Sequence, residues 1–356
     1  MQKIDVHVIF EHGEDLKPYG CAYIRDLLPL THPVNEEILT VTKGIGYSKA
    51  DVIVVERMWK PKISLHLAET LVEQIRKDKA IFIYSIDDNL LDLEYIPKEV
   101  RMVVGYFCRA ADGILVSTEF LKKRLSRLNK RIIVISNALD ERHFGGNDQK
   151  SRTIKQHGER KVIGYMGTFT HDADLMIVIQ PLREILRKYS DLVEFQLVGG
   201  TSNPSVLSLF DGLSFRVLDV PIADVEYPNF ISWMRKNMYW DIGIGPLEDT
   251  YFNRSKSDIK FLDYSALGIA GVYSDVPSYQ ETIRHLETGC LVKNSPTEWS
   301  NALERILVDD QLRDRLARNA REYVLSFRTL EQRGTKWRDA IFAIVEKTQI
   351  LSNFQE

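Results

Sequence analysis

Residues 253–268, NRSKSDIKFLDYSALG, lie between two short apolar runs at residues 241–244 and 270–274. Apolar side chains recur within the segment at the spacing of an amphipathic helix, and the flanking runs have the composition of buried strands. Two strands joined through a helix pair in parallel, because parallel strands need a crossover connection. We therefore predict an α/β fold in which this helix packs on a parallel sheet.

The same alternation continues on both sides of a polar stretch at residues 145–161, which we interpret as a linker. Strands are predicted before it at residues 4–10, 52–56, 81–86, 114–117 and 132–135, and after it at 162–166, 194–198, 241–244 and 270–274. Helices are predicted at residues 64–77, 100–109, 119–128, 174–189, 256–267, 296–307, 310–324 and 330–347. These elements form two α/β halves, each with a ligand site expected at the carboxyl ends of its parallel strands.

The composition is that of an ordinary globular protein large enough for two domains, with 356 residues, 44% hydrophobic and 27% charged. With a net charge of −3, no nucleic acid partner is expected. Cys21, Cys108 and Cys290 are too widely spaced in the sequence for a disulfide framework or a cysteine-based metal-binding motif. Residues 1–15 lack a signal-peptide core and no apolar run approaches the roughly 20 residues that span a bilayer, so we expect a cytoplasmic protein.

Two common nucleotide-binding signatures are absent from the sequence. No G-x-G-x-x-G follows a predicted strand, which argues against a dinucleotide-dependent dehydrogenase. No G-x-x-x-x-G-K-[ST] occurs, which argues against a P-loop NTPase.

The helix predicted at residues 256–267 has boundary signals at both ends. Ser255 is the predicted N-cap, and Asp258 three residues later completes the pattern of a capping box. Gly268 follows as the residue that ends the helix. The amino-terminal end of a helix favours anions, because its first N–H groups are unpaired and its dipole is positive there.

On that helix Lys256, Lys260 and Asp263 fall on one stripe beside the apolar face. The lysines would suit a diphosphate, and Asp263, about 10 Å further along the axis, would reach the hydroxyls of a ribose. The alternative is a solvated face on which Lys260 and Asp263 form an i,i+3 pair. The spacing leaves both interpretations open.

Several segments closely resemble the C-terminal domain of family-4-type glycosyltransferases, which are retaining enzymes with the GT-B fold. They are DIGIGPL (241–247), FNRSKSDIKFLDYSALGI (252–269), SDVPSYQETI (274–283) and GCLVKNSPTEW (289–299). The resemblance to these enzymes continues upstream in GYMGTFTHDADL (164–175), VSTEFLKKRL (116–125) and VISNALD (134–140). YSIDDNL (84–90) also resembles the acidic loop of members that build bacterial cell-surface polysaccharides.

The resemblance implies two Rossmann-like domains facing a cleft, with the C-terminal helix crossing back to the first domain. We expect residues 1–150 to form the acceptor-side domain, joined by the returning helix at 330–356, and residues 151–329 to form the nucleotide-sugar domain. The family implies that the donor's anomeric configuration is retained, with no cofactor and usually no metal.

The family's paired glutamates fall on Ser255 and Asp263, so the resemblance implies that Asp263 binds the ribose while the usual carboxylate contact to the donor sugar is missing at Ser255. The family's Arg and Lys for the diphosphate are absent from the turn at residues 167–172. We expect Lys256 and Lys260 to supply that charge, with Lys256 acting in catalysis on the leaving diphosphate.

The remaining candidates come from loops that follow predicted strands, except Ser257, which lies in the first turn of the helix predicted at residues 256–267. For the nucleotide sugar they are Gly20, Gly167, Thr168, His171, Asn253 and Ser257. Gly13 and Gly20 share a loop whose backbone N–H groups would approach phosphates, although an ordinary flexible loop is the alternative. Asp87 and Asp88 align with the family's His-Asp near the acceptor, and Asp88 is the predicted catalytic residue there. A helix cap or turn is the alternative for this pair, and a structural histidine is the alternative for His171.

Residues 121–131, LKKRLSRLNKR, combine three leucines on one face with six basic side chains. A peripheral membrane contact or an anionic lipid-linked acceptor would use such a face, and a solvated surface is the alternative.

Together these features favour a retaining hexosyl- or deoxyhexosyl-transferase that moves a sugar from a nucleotide-diphosphate sugar to a glycan or lipid-linked acceptor in cell-surface polysaccharide synthesis. The main alternative is a non-catalytic nucleotide-sugar-binding or scaffolding subunit, which the missing carboxylate at Ser255 favours. A nucleotide-sugar epimerase is compatible with the predicted fold but not with the sequence of residues 255–264, SKSDIKFLDY.

Overall fold

The computed structural model describes residues 3–93, 96–144, 160–168 and 171–353, with side chains up to residue 348. The chain forms two compact units. The first contains residues 1–140, 255–257 and 328–356, and the second contains residues 141–254 and 258–327. Most of the predicted linker, residues 145–159, lies outside the described residues.

The described strands are β1 (Ile4–Ile9), β2 (Leu39–Gly44), β3 (Val52–Glu56), β4 (Ile81–Ile86), β5 (Gly113–Val116), β6 (Ile132–Val134), β7 (Lys161–Gly167), β8 (Val193–Gly199), β9 (Phe215–Val217), β10 (Ile242–Gly245), β11 (Ala270–Ser274) and β12 (Cys290–Val292). The described helices are α1 (Gly20–Ala22), α2 (Leu28–Leu30), α3 (Leu65–Lys77), α4 (Lys98–Ala110), α5 (Glu119–Leu125), α6 (Glu141–Phe144), α7 (Asp172–Lys188), α8 (Pro204–Leu207), α9 (Tyr227–Asn237), α10 (Ile259–Ala266), α11 (Pro277–Gln280), α12 (Pro296–Val308), α13 (Asp310–Phe327), α14 (Leu330–Arg333) and α15 (Thr335–Asn353). A π-helix, Tyr23–Leu27, joins α1 to α2.

The first unit is built on a parallel sheet with strand order β2-β1-β3-β4-β5-β6. All five residues of β3 are buried, because helices cover both faces of such a sheet. The strand order reverses between β1 and β3, and crevices at such a reversal are where open α/β sheets bind ligands. Glu11 and Arg57 follow these two strands.

The second unit is built on a parallel sheet with strand order β12-β11-β10-β7-β8-β9. Its reversal lies between β7 and β10. The start of this pair is tightly packed: a Cβ on Gly164 of β7 would lie 1.8 Å from Cδ2 of Trp240, so only glycine fits there. The two parallel sheets confirm the predicted α/β class.

The helix predicted to begin at Lys256 begins instead at Ile259, with Asp258 as its N-cap, so the predicted capping box at Ser255 is wrong. Ser255 ends a 3₁₀ turn and is fully buried. Residues 255–257 belong to the first unit, where Thr118 Oγ1 donates to the Ser255 carbonyl (3.0 Å) and Asn137 Nδ2 donates to Ser257 Oγ (2.8 Å). These bonds hold the segment outside the helix.

The other end of α10 is as predicted. Gly268 has a φ of +68°, its N–H donates to the Ser265 carbonyl (2.9 Å), and the Ile269 N–H donates to the Tyr264 carbonyl (2.9 Å). This is the Schellman pattern, which satisfies carbonyls that the helix end leaves unpaired.

The C-terminal segment, predicted as one helix at residues 330–347, is divided at Gly334 into α14 and α15. The Gly334 carbonyl accepts a hydrogen bond from Asn35 Nδ2 (3.0 Å), and the Trp337 indole donates to the Arg25 carbonyl. These contacts lie within the first unit.

Candidate functional site

The candidate site of the second unit lies where β7 and β10 end, at the reversal of strand order. The loop after β7 leads to His171 and the start of α7, and the loop after β10 leads through Glu248 to Asn253. Because both strands run in parallel, these loops emerge at the same edge of the sheet.

A histidine–aspartate pair connects the two loops. His171 Nδ1 lies 2.7 Å from Asp174 Oδ2, and the Glu248 N–H donates to Asp174 Oδ1 over 2.8 Å. Both side chains are buried. An ionised Asp174 requires the proton on Nδ1, which fixes the orientation of the imidazole ring and leaves Nε2 as its second polar atom.

Gly167 ends β7 beside this histidine. A Cβ at this position would lie 3.3 Å from His171 Cδ2 and 3.0 Å from Tyr165 Oη, so a larger residue would crowd both rings. Tyr165 Oη is buried and has no hydrogen-bond partner among the described residues. Such a group calls for a water or a ligand. Thr168 is exposed, and the next two residues of the predicted turn, Phe169 and Thr170, lie outside the described residues.

Asn253 organises the loop after β10. Its side-chain amide donates to the Glu248 carbonyl (2.9 Å), and its own carbonyl accepts from Ser278 Oγ (2.6 Å). The residue is buried. These bonds give Asn253 a role in shaping the loop, and its predicted contact with a nucleotide sugar stays a prediction.

Asp263, on α10, is 4% exposed, so the solvated ion-pair interpretation is wrong for this residue. Tyr227 Oη of α9 lies 3.4 Å from Asp263 Oδ1, a long hydrogen bond. Burial raises the pKa of Asp263 to about 7, while the Tyr227 hydrogen bond and the charge of Lys260 lower it. Lys260 extends over the Tyr165 ring, with Nζ 5.6 Å from the ring centroid.

The two predicted lysines therefore differ in local structure. Lys260 lies in the first turn of α10, whereas Lys256 precedes the helix and is not on its stripe. Lys256 and Ser257 are half-buried and belong to the first unit with Ser255. Their predicted contacts with phosphate stay predictions.

The first unit contains a charged cluster that sequence reasoning found only in part. Arg57 Nε donates to Glu11 Oε2 (2.7 Å), and Arg57 Nη1 donates to Asp87 Oδ1 and Asp88 Oδ2 (2.8 Å each). The predicted Asp88 is therefore oriented by an arginine that the prediction missed. A signal was present, since the four apolar residues 52–55 are followed directly by the charged pair Glu56 and Arg57.

Beneath this cluster lie two fully buried carboxyl groups, Glu56 and Asp26, whose pKa values are raised by burial. Burial raises the pKa of Glu56 well above its usual range, and raises that of Asp26 to about 7. Possible ligand atoms of Glu11, Cys21 and Glu56 lie within 4.8 Å of one another, close enough to hold a metal ion. The Arg57 guanidinium bonded to Glu11 opposes a cation there, and the Glu11 N–H already donates to Glu56 Oε2 (2.8 Å).

Gly20, the predicted phosphate contact of this unit, is the first residue of α1 and is half-buried. A Cβ on Gly13 would lie 2.8 Å from Tyr19 Oη, so the loop between them folds closely on itself.

The basic segment at residues 121–131 is helical only up to Leu125, where α5 ends. Leu121 and Leu125 are buried in the first unit, so they are not available to insert into a bilayer. Among the described residues, no helix is both long enough and apolar enough to cross a membrane.

Comparison with known proteins finds a family-model match over part of the chain and similar folds over most of it. Residues 259–323, from the start of α10 through most of α13, match the family model "Glycosyl transferases group 1". No curated protein matches the sequence significantly.

Solved structures match over nearly the whole chain. HepE from Anabaena, in complex with UDP-glucose, has a TM-score of 0.70 at 12% identity over 96% of this chain and 100% of that one. A glycosyltransferase from Rickettsia africae has a TM-score of 0.64 at 12% identity over 97% and 99% of the two chains. Sucrose-phosphate synthase from Thermosynechococcus elongatus has a TM-score of 0.61 at 15% identity over 83% and 74%. At these identities the likeness shows the GT-B fold, and with the family match it supports a glycosyltransferase.

Proposed function

We propose that this protein is a retaining glycosyltransferase that transfers a hexosyl or deoxyhexosyl group from a nucleotide-diphosphate sugar to a glycan or lipid-linked acceptor in cell-surface polysaccharide synthesis. The observation that carries the proposal is the buried carboxylate of Asp263, which lies within the segment that matches glycosyl transferases group 1. HepE, which shares the fold, has been solved with UDP-glucose, which supports a nucleotide-sugar donor.

Asp263 suits the ribose of a nucleotide. An ionised carboxylate offers about four acceptor positions, and the Tyr227 hydroxyl approaches one oxygen at a long 3.4 Å. Hydrogen bonds to a buried carboxylate stabilise its ionised form, so two hydroxyl donors from a ribose would be bound there. Burial of this side chain thus prepares the site for a ligand at some cost to the free protein.

The diphosphate is bound by the amino-terminal end of α10 together with basic side chains. The first N–H groups of this eight-residue helix carry the positive end of its dipole. Lys260 adds a full charge in the first turn, and Lys256 adds another three residues before the helix begins. Positive charge at this position stabilises the diphosphate as the bond to the sugar breaks.

His171 contributes to binding the sugar or the acceptor. Its 2.7 Å contact with Asp174 Oδ2 through Nδ1 fixes the orientation of the imidazole ring beside the loop that follows β7. In the first unit, Asp88 orients the acceptor hydroxyl and accepts its proton. No cofactor or metal is required by this scheme, since lysines and helix N–H groups supply the positive charge.

The test is a panel of nucleotide-diphosphate sugars assayed by thermal shift and then by turnover. We expect one nucleotide class to raise the melting temperature of the wild-type protein, with release of nucleoside diphosphate when an acceptor is added. Asp263→Asn should lose the shift, and Asp211→Asn, which changes an exposed aspartate of the same unit, should keep it. No shift and no turnover with any donor would refute the proposal.

Binding without turnover across a range of acceptors would instead favour a non-catalytic nucleotide-sugar-binding subunit. The anomeric configuration of the product, read by NMR, tests retention separately from donor identity.

A further inference from the structure

Arg57 occupies an unusual and firmly held backbone position at the end of β3. Its φ is +47°, in the left-handed region that residues other than glycine seldom adopt. Its N–H donates to the Ser85 carbonyl, and its carbonyl accepts from Tyr84 Oη, each over 2.9 Å. Strained residues that their surroundings over-determine are concentrated at functional sites.

The side chain of Arg57 joins the ends of three neighbouring strands. Glu11 follows β1, Arg57 follows β3, and Asp87 and Asp88 follow β4, in a sheet where these strands lie side by side. One guanidinium bonds one oxygen of each carboxylate at 2.7–2.8 Å. The group therefore lies at the reversal of strand order in the first unit.

The exposed fraction of the side chains increases across the cluster from Glu11 to Asp88. The side chain of Glu11 is 5% exposed and that of Arg57 15%, whereas those of Asp87 and Asp88 are 17% and 24% exposed. Glu11 thus anchors the guanidinium from below, and the guanidinium holds the two aspartates at the rim.

Arg57 remains a cation in this setting. Burial lowers its pKa, but Cys21 and the carboxylates of Asp87, Glu11 and Asp88 raise it by more, so the pKa lies well above its usual value. Without that charge, adjacent carboxylates would face one another with no cation between them, and they would move apart or take up a proton.

We propose that Arg57, anchored by Glu11, is the positioning residue for the rim aspartates, and that it holds Asp88 in the ionised state and orientation needed to accept the proton of the acceptor hydroxyl. This inference rests on the proposed function, in which Asp88 contacts the acceptor. Arg57 itself does not act on the substrate in this scheme, and its effect is transmitted through the 2.8 Å bond to Asp88 Oδ2.

The experiment compares wild type, Arg57→Met, Arg57→Lys and Asp88→Asn in transfer assays over pH 5.5–9, with the donor found by thermal shift and saturating acceptor. Arg57→Met should lower kcat for transfer about 100-fold, in the range that a well-placed general base contributes, and should move the acidic limb of the pH profile upward. Donor affinity, measured without acceptor, should change less than about threefold, because the donor contacts proposed above do not involve Arg57.

Arg57→Lys is the informative second variant. It keeps the charge but loses the planar fork that reaches three carboxylates, so kcat should fall about tenfold with the acidic limb in its wild-type position. This result remains decisive if Arg57→Met folds poorly, because wild-type kcat in a folded Arg57→Lys protein would overturn the inference.

Arg76→Met is the matched control, because it breaks another arginine–aspartate pair of the same unit, Arg76 Nη1 to Asp112 Oδ2 at 2.6 Å. It should transfer at the wild-type rate. If Arg57→Met matches wild type in rate and pH profile while Asp88→Asn is impaired, Arg57 is not a positioning residue and the proposed function stands. If the wild-type protein itself transfers no sugar, the proposed function fails instead.

Discussion

Asp263→Asn should stabilise the free protein while removing nucleotide-sugar binding. The side chain is 4% exposed, and burial moves its pKa from 3.8 to about 7. At about 1.4 kcal/mol per pKa unit, the cost of ionising this buried group reaches about 4 kcal/mol. Asparagine has nearly the same shape and carries no charge, so it avoids that cost.

The sign of the effect follows from the direction of the shift. A raised carboxyl pKa contributes stability below the unfolded value, near 4, and that stability is lost as pH rises to about 7. The advantage of Asp263→Asn over wild type should therefore be about 1.7 kcal/mol at pH 5 and approach its full value, about 4 kcal/mol, at pH 8. A difference of this size should raise the melting temperature by several degrees.

The assay is thermal unfolding of both proteins at pH 5 and pH 8, with and without the donor found in the panel. Asp263→Asn should melt higher than wild type at pH 8 without donor and should not respond to donor. Asp211→Asn serves as the control for a change at an exposed aspartate. The reasoning would be refuted by an Asp263→Asn protein that is less stable than wild type at pH 8, or that still binds the donor tightly.

Further predictions concern affinity, packing, orientation and the basic surface. Donor affinity of the wild-type protein should rise about tenfold from pH 6 to pH 8 as Asp263 ionises around pH 7, with a flat profile in calorimetry arguing against its role. Gly164→Ala should destabilise the second unit by at least about 3 kcal/mol in denaturant unfolding, since its Cβ would overlap the Trp240 ring, and a normal midpoint would contradict the packing. Asp174→Asn should lower kcat/KM about tenfold by releasing His171, whereas unchanged kinetics would make the pair purely structural. Because Leu121 and Leu125 are buried, any binding of residues 121–131 to anionic vesicles should be lost at about 0.5 M salt, and salt-resistant flotation would indicate insertion.

Central strands were predictable from the sequence because burial on both faces demands apolar residues throughout. The structure has β3, β4 and β11 at the predicted residues, 52–56, 81–86 and 270–274. At the sheet edges only β6 was predicted, at residues 132–135, whereas β2, β9 and β12 were not. Half of the residues of β2 are exposed and β9 has only three residues, and neither shows an apolar run long enough to separate it from a loop.

The first residue of α10 is determined by tertiary hydrogen bonds and not by the local capping pattern in the sequence. Ser255 and Asp258 match a capping box, yet hydrogen bonds from Thr118 and Asn137, more than a hundred residues away in sequence, fix the backbone before the helix. Gly268 was predicted correctly because a C-terminal glycine acts through its own backbone conformation.

Candidate residues that lie in a recognisable sequence segment could be identified from the sequence. Candidate residues that are brought together only by the order of strands in the sheet could not. Asp263 was identified from its place in a recognisable segment, but its partner Tyr227 lies on a helix that was not predicted. Arg57 and Glu11 are 46 residues apart and meet only because β1 and β3 are neighbours in the sheet. Pairings of this kind require the strand order, which the spacing of residues along one chain does not contain.

The central claim is that the protein transfers a sugar from a nucleotide-diphosphate donor bound at Asp263. The most direct measurement is nucleoside diphosphate release with product formation by the wild-type protein, Asp263→Asn and Asp211→Asn, using the donor that shifts the melting temperature. We predict turnover by wild type and Asp211→Asn, and loss of at least about 100-fold in kcat/KM for Asp263→Asn. Equal turnover by all three proteins would contradict the assignment of the site, and turnover by none would contradict the proposed reaction.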